Sequence, residues 1–194
     1  LLDADPDAAT AAVVGWAGAL GATLGASRDH ADAAEAAFAA GGAQPWDPGD
    51  AVRAGTARLL TLLGDEEART SALEAEVTTM LAGLRTEPAT RVVSPGDTCP
   101  DNAVLTPAGW RFLDLEGTTV HHVALDAAYA LMPFPSCWCV FEPPPGLADA
   151  MLDAFSAGLL PAMPDVADGD RWRRTVDLAC AAWLLAANAW LVDG

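Results

Sequence analysis

The sequence contains no lysine: all ten of its basic residues are arginine, against 27 acidic residues, for a formal net charge of -17 at pH 7. The absence of lysine excludes any site that relies on a lysine amine to grip phosphate groups. The shortage of positive charge argues against nucleic acid and anionic membranes as partners, because an acidic surface repels polyanions. The same surface favours cationic ligands, or a metal ion that offsets the charge.

Signals for several protein classes are also missing. The 194 residues contain no G-x-G-x-x-G motif, no evident internal repeat, and no basic segment followed by an apolar core that would mark a secretory signal. The longest apolar run, residues 178–192, is shorter than the roughly 20 residues of a membrane span and contains Asn188, so it predicts a buried helix. No linker divides the chain, and we expect residues 1–194 to form a single unit.

Cysteine is scarce, and its spacing fits no familiar site. The four cysteines stand at positions 99, 137, 139 and 180, which matches neither a disulfide framework nor a zinc site well. A zinc site that combines the C-W-C segment with His121 and His122 is the weaker alternative. We therefore expect reduced, partly buried thiols in a cytoplasmic protein.

What the sequence does contain is helical patterning and a sizeable apolar fraction. Hydrophobic residues make up 52% of the chain, and the mean hydropathy is +0.23. Asp5 and Pro6 predict a helix start, and an apolar stripe at helical spacing follows. That stripe consists of Val13, Trp16, Ala17, Leu20 and Leu24.

The order of predicted elements places a small β region between two helical regions. Further helices are predicted over residues 29–40, 50–63, 65–84, 123–131, 147–157 and 171–192, and short strands over residues 90–94, 102–106 and 110–114. The sequence therefore predicts an α+β fold that is predominantly α and carries a small β-hairpin.

The predicted hairpin gathers side chains with oxygen donors. Pro107 and Gly109 are typical turn residues. With the turn centred on Ala108, Asn102 and Asp114 are equidistant from it and should lie opposite each other. Asp97 precedes the first strand on a loop that can curl back toward them. Such oxygens are ligands that Mg²⁺ prefers, although aspartate and asparagine are also ordinary turn residues.

Residues 96–117 contain the pattern Gly-Asp-x4-Asn, then a hairpin, then a second Asp. This pattern resembles the catalytic and metal-binding loops of the aminoglycoside phosphotransferase family. This family is related to protein kinases and choline kinase. The resemblance implies a kinase-like large, C-terminal lobe in which the hairpin carries both loops. It also implies a separate nucleotide lobe that is not present in this chain.

The resemblance further implies a role for each acid and amide of this region. Asp97 would orient or deprotonate a substrate hydroxyl group, and Asn102 and Asp114 would bind Mg²⁺ together with ATP or another nucleoside triphosphate. Glu116 would be an auxiliary acid beside the metal. Asp126 would be a structural acid that supports the catalytic loop.

The chain departs from the family pattern at two points. Pro95 stands where the family has a histidine, and no lysine is available for the nucleotide phosphates. We predict an ATP-dependent phosphotransferase that acts on a hydroxyl group of a small molecule, with a cationic acceptor favoured by the acidic surface, and we expect the isolated chain to be inactive. The alternatives are a catalytically impaired, pseudokinase-like binding module, or a helical interaction domain without kinase activity.

Overall fold

The computed structural model describes residues 5–64, 67–85, 88–132, 134, 143–166 and 169–191. These residues are mostly helical and include two small antiparallel sheets, which confirms the α+β class. The helices are α1 (Pro6–Ser27), α2 (Ala31–Gly41), α3 (Pro48–Leu63), α4 (Glu67–Arg85), α5 (Ala124–Leu131), α6 (Leu147–Leu159) and α7 (Gly169–Leu191). The strands are β1 (Arg91–Ser94), β2 (Ala103–Thr106), β3 (Gly109–Phe112) and β4 (Thr119–His122).

Helix ends follow the capping residues closely. The Asp5 carboxylate accepts a hydrogen bond from the Ala8 N–H at 3.0 Å, which confirms the predicted start of α1. The predicted start of the third helix at Asp50 is wrong. That helix begins at Pro48, because the Asp47 side chain accepts from the N–H groups of Gly49 and Asp50 and proline suits a first helical position.

Two helix pairs, α1 with α6 and α3 with α7, provide the most extensive packing in the core. The backbones meet at glycines: a Cβ added to Gly21 would overlap the Phe155 carbonyl, and one added to Gly55 would overlap the Leu185 carbonyl. Trp16, Leu20 and Leu24 are fully buried along the predicted apolar stripe of α1. Gly21 and Gly55 therefore allow the close approach of these helix pairs.

In the described part of the chain, one helical stretch, Pro6–Gly41, is long and apolar enough to cross a membrane by length and composition alone. Its most apolar 18-residue window has a mean hydropathy of 1.4, and 39% of that window is buried inside the fold. The core helix of a globular protein passes the same test. The burial of Trp16, Leu20 and Leu24 accounts for part of this apolar composition.

The first sheet pairs β1 with β4 in antiparallel register, with Val92 opposite His121 and Ser94 opposite Thr119. Strand β4 was not predicted from the sequence, because its partner lies about 25 residues away and no turn signal joins the two. Its pairing carries the loop after β1 and the loop before β4 to the same end of the sheet. These two loops contain the candidate site residues Asp97, Asn102 and Asp114.

The cysteines differ from expectation at one position. Cys99 is disulfide-bonded, so the prediction of reduced thiols is wrong for this residue, while Cys180 is a free thiol. Cys99 is only 3% exposed, and the sequence gives no sign of which thiols the fold brings together. Cys137 and Cys139 lie outside the described residues.

Candidate active site

The candidate site is built from two loops that touch through glycine. The first loop, residues 95–102, connects β1 to β2, and the second loop, residues 113–118, connects β3 to β4. Gly96 has φ +86°, and a Cβ on it would overlap the Gly117 carbonyl. Only glycine allows both the left-handed backbone and this approach, so Gly96 holds the first loop against the second.

Asp97 lies on the first loop with its side chain oriented by local hydrogen bonds. Its Oδ1 accepts from the Cys99 N–H at 3.3 Å, and its carbonyl accepts from Nδ2 of Asn102 at 3.4 Å. Asp97 is exposed. The carboxylate is therefore held in one orientation while it remains open to a substrate.

Asn102 ends a short 3-10 turn, Pro100–Asn102, in which its N–H donates to the Cys99 carbonyl at 2.9 Å. Because Nδ2 donates to the Asp97 backbone, the amide oxygen Oδ1 is the atom suited to bind a metal. Asn102 thereby links the backbone of Asp97 to the start of β2. The structure brings these two predicted residues together.

The hairpin of β2 and β3 is confirmed, but its predicted register is wrong by one residue. Ala103 pairs with Phe112, and the Leu113 N–H donates to the Asn102 carbonyl at 2.8 Å, so Asn102 faces Leu113 rather than Asp114. The turn contains two residues, Pro107 and Ala108, and is not centred on Ala108. The Thr106 hydroxyl stabilises it by accepting from the Ala108 N–H at 3.2 Å and donating to the Gly109 carbonyl at 2.7 Å.

Asp114 directly follows Leu113, whose N–H bonds the Asn102 carbonyl, and it has a left-handed backbone, with φ 54° and ψ 65°. The conformation is uncommon for a residue with a Cβ, although aspartate tolerates it better than most. It costs on the order of 1 kcal/mol, and such strain is concentrated at functional positions. Asp114 is exposed beside the first loop, and Glu116 is exposed two residues later in the turn Leu115–Gly117.

Asp126 lies beneath the loops at the start of α5 and is only 3% exposed. Its Oδ1 accepts from the Ser94 hydroxyl at 2.8 Å, and its Oδ2 lies 2.7 Å from Nε2 of His121, which donates to it. The Ser94 hydroxyl in turn accepts from the Gly96 N–H at 3.0 Å. A chain of hydrogen bonds thus connects the buried carboxylate to the residue that precedes Asp97.

Sequence reasoning missed Ser94 and His121 as supporting residues. Both face the same side of the β1–β4 sheet, on which Asp126 lies. The sequence of β4, Thr-Val-His-His, has no alternation that indicates this face, because the polar Thr119 and His121 are buried and Val120 lies on the other side. The loop that contains Pro95 is therefore braced by its neighbours in the sheet.

The side chains of the two loops offer hard oxygen donors. Within the described ranges, no group of three or more His, Cys, Asp or Glu residues could hold a metal ion by itself. One carboxylate and one amide are nevertheless a normal protein contribution to Mg²⁺, which is usually held by one or two carboxylates with water and substrate phosphates. The donor set fits that ion and does not fit a closed structural zinc site.

The contact between the loops can be tested through two glycines that share a positive φ. Gly109 has φ +98° and open space around it, whereas Gly96 faces the Gly117 carbonyl. Alanine at either position adds backbone strain of about 1–3 kcal/mol. We expect Gly96→Ala to lower the free energy of unfolding by at least about 2 kcal/mol more than Gly109→Ala in urea titrations, because only Gly96 adds a steric overlap. Equal losses would show that the loops do not touch.

His122 makes stability depend on pH. Burial, and secondarily the neighbouring charge of His121, lower the pKa of His122 from 6.5 to about 4, and its Nδ1 accepts from the Ala124 N–H at 3.1 Å. The imidazole is neutral in the fold, so between pH 6.5 and 4 the unfolded state binds more protons than the folded state. The free energy of unfolding should fall by about 3 kcal/mol as the pH drops through this window, at about 1.4 kcal/mol per pKa unit.

Urea titrations at pH 7 and pH 4.5 measure this effect. His122→Asn keeps an acceptor for the Ala124 N–H and should flatten the pH dependence, whereas the exposed His30→Asn should leave it unchanged. An unchanged slope in His122→Asn would mean that carboxylates alone cause the acid loss.

Comparison with known proteins places the chain in a family. The family model described as "Phosphotransferase enzyme family" matches residues 3–173, most of the chain and both loops of the candidate site. No curated protein gives a significant match.

Proposed function

We propose that the chain takes part in transferring the γ-phosphoryl group of ATP to a hydroxyl group of a small molecule. The chain belongs to the phosphotransferase enzyme family, which implies phosphotransferase activity in general. The observation that carries this proposal is the contact between the two loops. Gly96 against Gly117 sets the loop of Asp97 and Asn102 beside the loop of Asp114. Phosphoryl transfer needs this kind of positioning and charge neutralisation more than covalent help.

Each residue has a definite task in this proposal. Asp97 accepts a hydrogen bond from the acceptor hydroxyl and takes its proton as the oxygen bonds to the γ-phosphorus of ATP and the bond to the leaving ADP breaks. Asn102 and Asp114 hold Mg²⁺, which when bound neutralises the phosphate charge. Glu116 is an auxiliary acid beside them. Asp126 keeps the first loop in place through Ser94.

We further propose that residues 1–194 act as a kinase-like large lobe alongside a second structure that grips the nucleotide. The chain has no lysine to bind phosphates. The hairpin and the second loop also expose large apolar side chains, with Leu105, Leu113 and Leu115 at 62%, 50% and 57% exposure. Exposed apolar groups gathered beside a site are typical of a contact surface.

A second candidate function is a binding module that has lost turnover. Pro95 in place of the family histidine and the missing lysine favour it. The two candidates differ in one respect: both bind Mg²⁺·ATP, but only the enzyme transfers phosphate.

A ³¹P NMR assay on the full-length protein separates these functions. The protein is incubated with ATP, Mg²⁺ and a panel of hydroxyl compounds that includes cationic amino alcohols, with excess EDTA as the control. We expect an Mg²⁺-dependent phosphate ester to appear. Saturable Mg²⁺·ATP binding without any ester or hydrolysis would identify a binding module. No nucleotide binding at all would favour a helical interaction domain.

A further inference from the structure

Cys99 contacts both candidate site residues of the first loop through its backbone. Its N–H donates to Oδ1 of Asp97 at 3.3 Å, and its carbonyl accepts from the N–H of Asn102 at 2.9 Å. The Asn102 side chain in turn donates from Nδ2 to the Asp97 carbonyl at 3.4 Å. The position of the Cys99 backbone therefore sets the positions of Asp97 and Asn102 together.

The Cys99 side chain is held inside the fold. Cys99 is buried, it belongs to the main hydrophobic core, and its sulfur is disulfide-bonded. Asp97 is exposed and Asn102 is half-buried. The first loop thus has one residue fixed in the core between two residues that solvent can reach. A covalent bond at Cys99 restrains the loop at the residue that makes both hydrogen bonds.

The start of the first loop has a separate restraint, at Gly96. That residue approaches the Gly117 carbonyl, and its N–H donates to the Ser94 hydroxyl at 3.0 Å. Residues 97–99 come after this contact and before the 3-10 turn Pro100–Asn102, and they lie in neither a helix nor a strand. Segments outside helices and sheets open more easily than the elements themselves. The disulfide therefore restrains the part of the loop that secondary structure does not.

We propose that Cys99 is a positioning residue of the phosphotransferase site, and that its disulfide makes the site sensitive to reduction. The inference rests on the proposed function, because it assigns a control to the same two loops. While the bond is intact, the Cys99 backbone holds the Asp97 carboxylate and the Asn102 amide in a fixed relation. When the bond is broken, both side chains lose that relation, and the acceptor hydroxyl and the metal are no longer aligned.

The reductant in this proposal is a dithiol. One of its thiolates attacks the disulfide and forms a mixed disulfide, and its second thiolate then displaces the protein sulfur. The S–S bond of the protein takes up two electrons and two protons and becomes two thiols, while the dithiol is oxidised to its own disulfide. Cys180 does not compete in this exchange at neutral pH, because burial, and secondarily the charge of Asp177, raise the pKa of its thiol to about 11.

Peptide mapping of the full-length protein under non-reducing conditions tests the covalent bond. Cys180 is a free thiol, so we expect a cross-link from Cys99 to position 137 or 139, the two remaining cysteines. Dithiothreitol should remove this cross-link and leave Cys99 open to alkylation. Complete alkylation of Cys99 before reduction, in unfolded protein, would overturn the proposal.

Hydrogen exchange of the ¹⁵N-labelled full-length protein tests the positioning without any activity assay. We expect the amides of Cys99 and Asn102 to exchange at least about tenfold faster after treatment with dithiothreitol, while the amides of α7 around Cys180 keep their rates. Unchanged exchange at Cys99 and Asn102 would overturn the proposal. Equal acceleration in α7 would overturn it as well, because the bond would then stabilise the whole fold rather than the loop.

Two cysteine variants provide the matched comparison for activity. Cys99→Ser keeps the backbone donor and acceptor but removes the bond, so kcat should fall about 10–100-fold, since a displacement of ~1 Å can cost about 10²-fold. Dithiothreitol should lower the kcat of the native protein and of Cys180→Ser by the same factor and leave that of Cys99→Ser unchanged. Native kcat in Cys99→Ser, or a native kcat that ignores dithiothreitol, would overturn the proposal. If the oxidised native protein forms no phosphate ester, the proposed function fails, and the exchange rates still decide whether Cys99 positions the loop.

Discussion

Replacing Asp97 with asparagine is expected to lower kcat for phosphoryl transfer by about 10²–10⁴-fold, the usual contribution of a positioned general base. Asparagine keeps the Oδ1 acceptor that binds the Cys99 N–H, so the loop should keep its shape. In the proposed mechanism, what is lost is the negative charge that takes the proton of the acceptor hydroxyl. Because the proposed metal ligands are intact, the affinity for Mg²⁺·ATP should change little.

Steady-state kinetics and nucleotide titrations on the full-length protein measure these two quantities separately. Asp153→Asn is the control, because it removes an exposed carboxylate on α6 far from the hairpin in sequence. Its kcat should equal that of the native protein. If Asp97→Asn retained native kcat, Asp97 would not be the base, and the proposed mechanism would fail at its first step.

Replacing Asp114 with asparagine is expected to weaken Mg²⁺-dependent nucleotide binding by at least about 100-fold. Mutation of a residue that only hydrogen-bonds to a metal ligand already lowers metal affinity or activity by about 10–100-fold. Asparagine tolerates the left-handed backbone of residue 114 nearly as well as aspartate, so the substitution removes charge without adding strain. The loss should therefore come from the metal rather than from misfolding.

Isothermal titration with Mg²⁺·ATP, together with urea unfolding, distinguishes loss of metal binding from misfolding. Asp114→Asn should leave the free energy of unfolding within about 0.5 kcal/mol of native, as for other exposed substitutions. Asp114→Ala should bind equally poorly and also lose about 1 kcal/mol of stability from the backbone conformation. Native nucleotide affinity in Asp114→Asn would remove this residue from the metal site.

The sequence predicted well those features that depend on neighbouring residues. The cap at Asp5 and the hairpin turn at Pro107 and Gly109 are both local, and each appears in the structure. The hairpin register failed by one residue, because the turn can close over two residues or three and the sequence does not distinguish them.

Features that depend on contacts between residues distant in the chain could not be predicted from the sequence. Strand β4 exists through its pairing with β1, and the role of His121 depends on that strand. The disulfide at Cys99 likewise depends on the folded chain. The approach of Gly96 to Gly117 joins two loops about 20 residues apart, and the pattern of either loop alone does not contain it. The residue types of the site were therefore predictable, and the contacts that position them were not.

We propose that the two loops together hold the metal and the nucleotide phosphates. The most direct test replaces Mg²⁺ with paramagnetic Mn²⁺ and records which amide resonances of the ¹⁵N-labelled protein broaden when ATP is present. We expect broadening centred on Asn102 and Asp114 and extending to Gly96 and Asp97. Broadening spread over other acidic surfaces, such as Asp29 and Asp32, with none at Asn102 and Asp114, would contradict it.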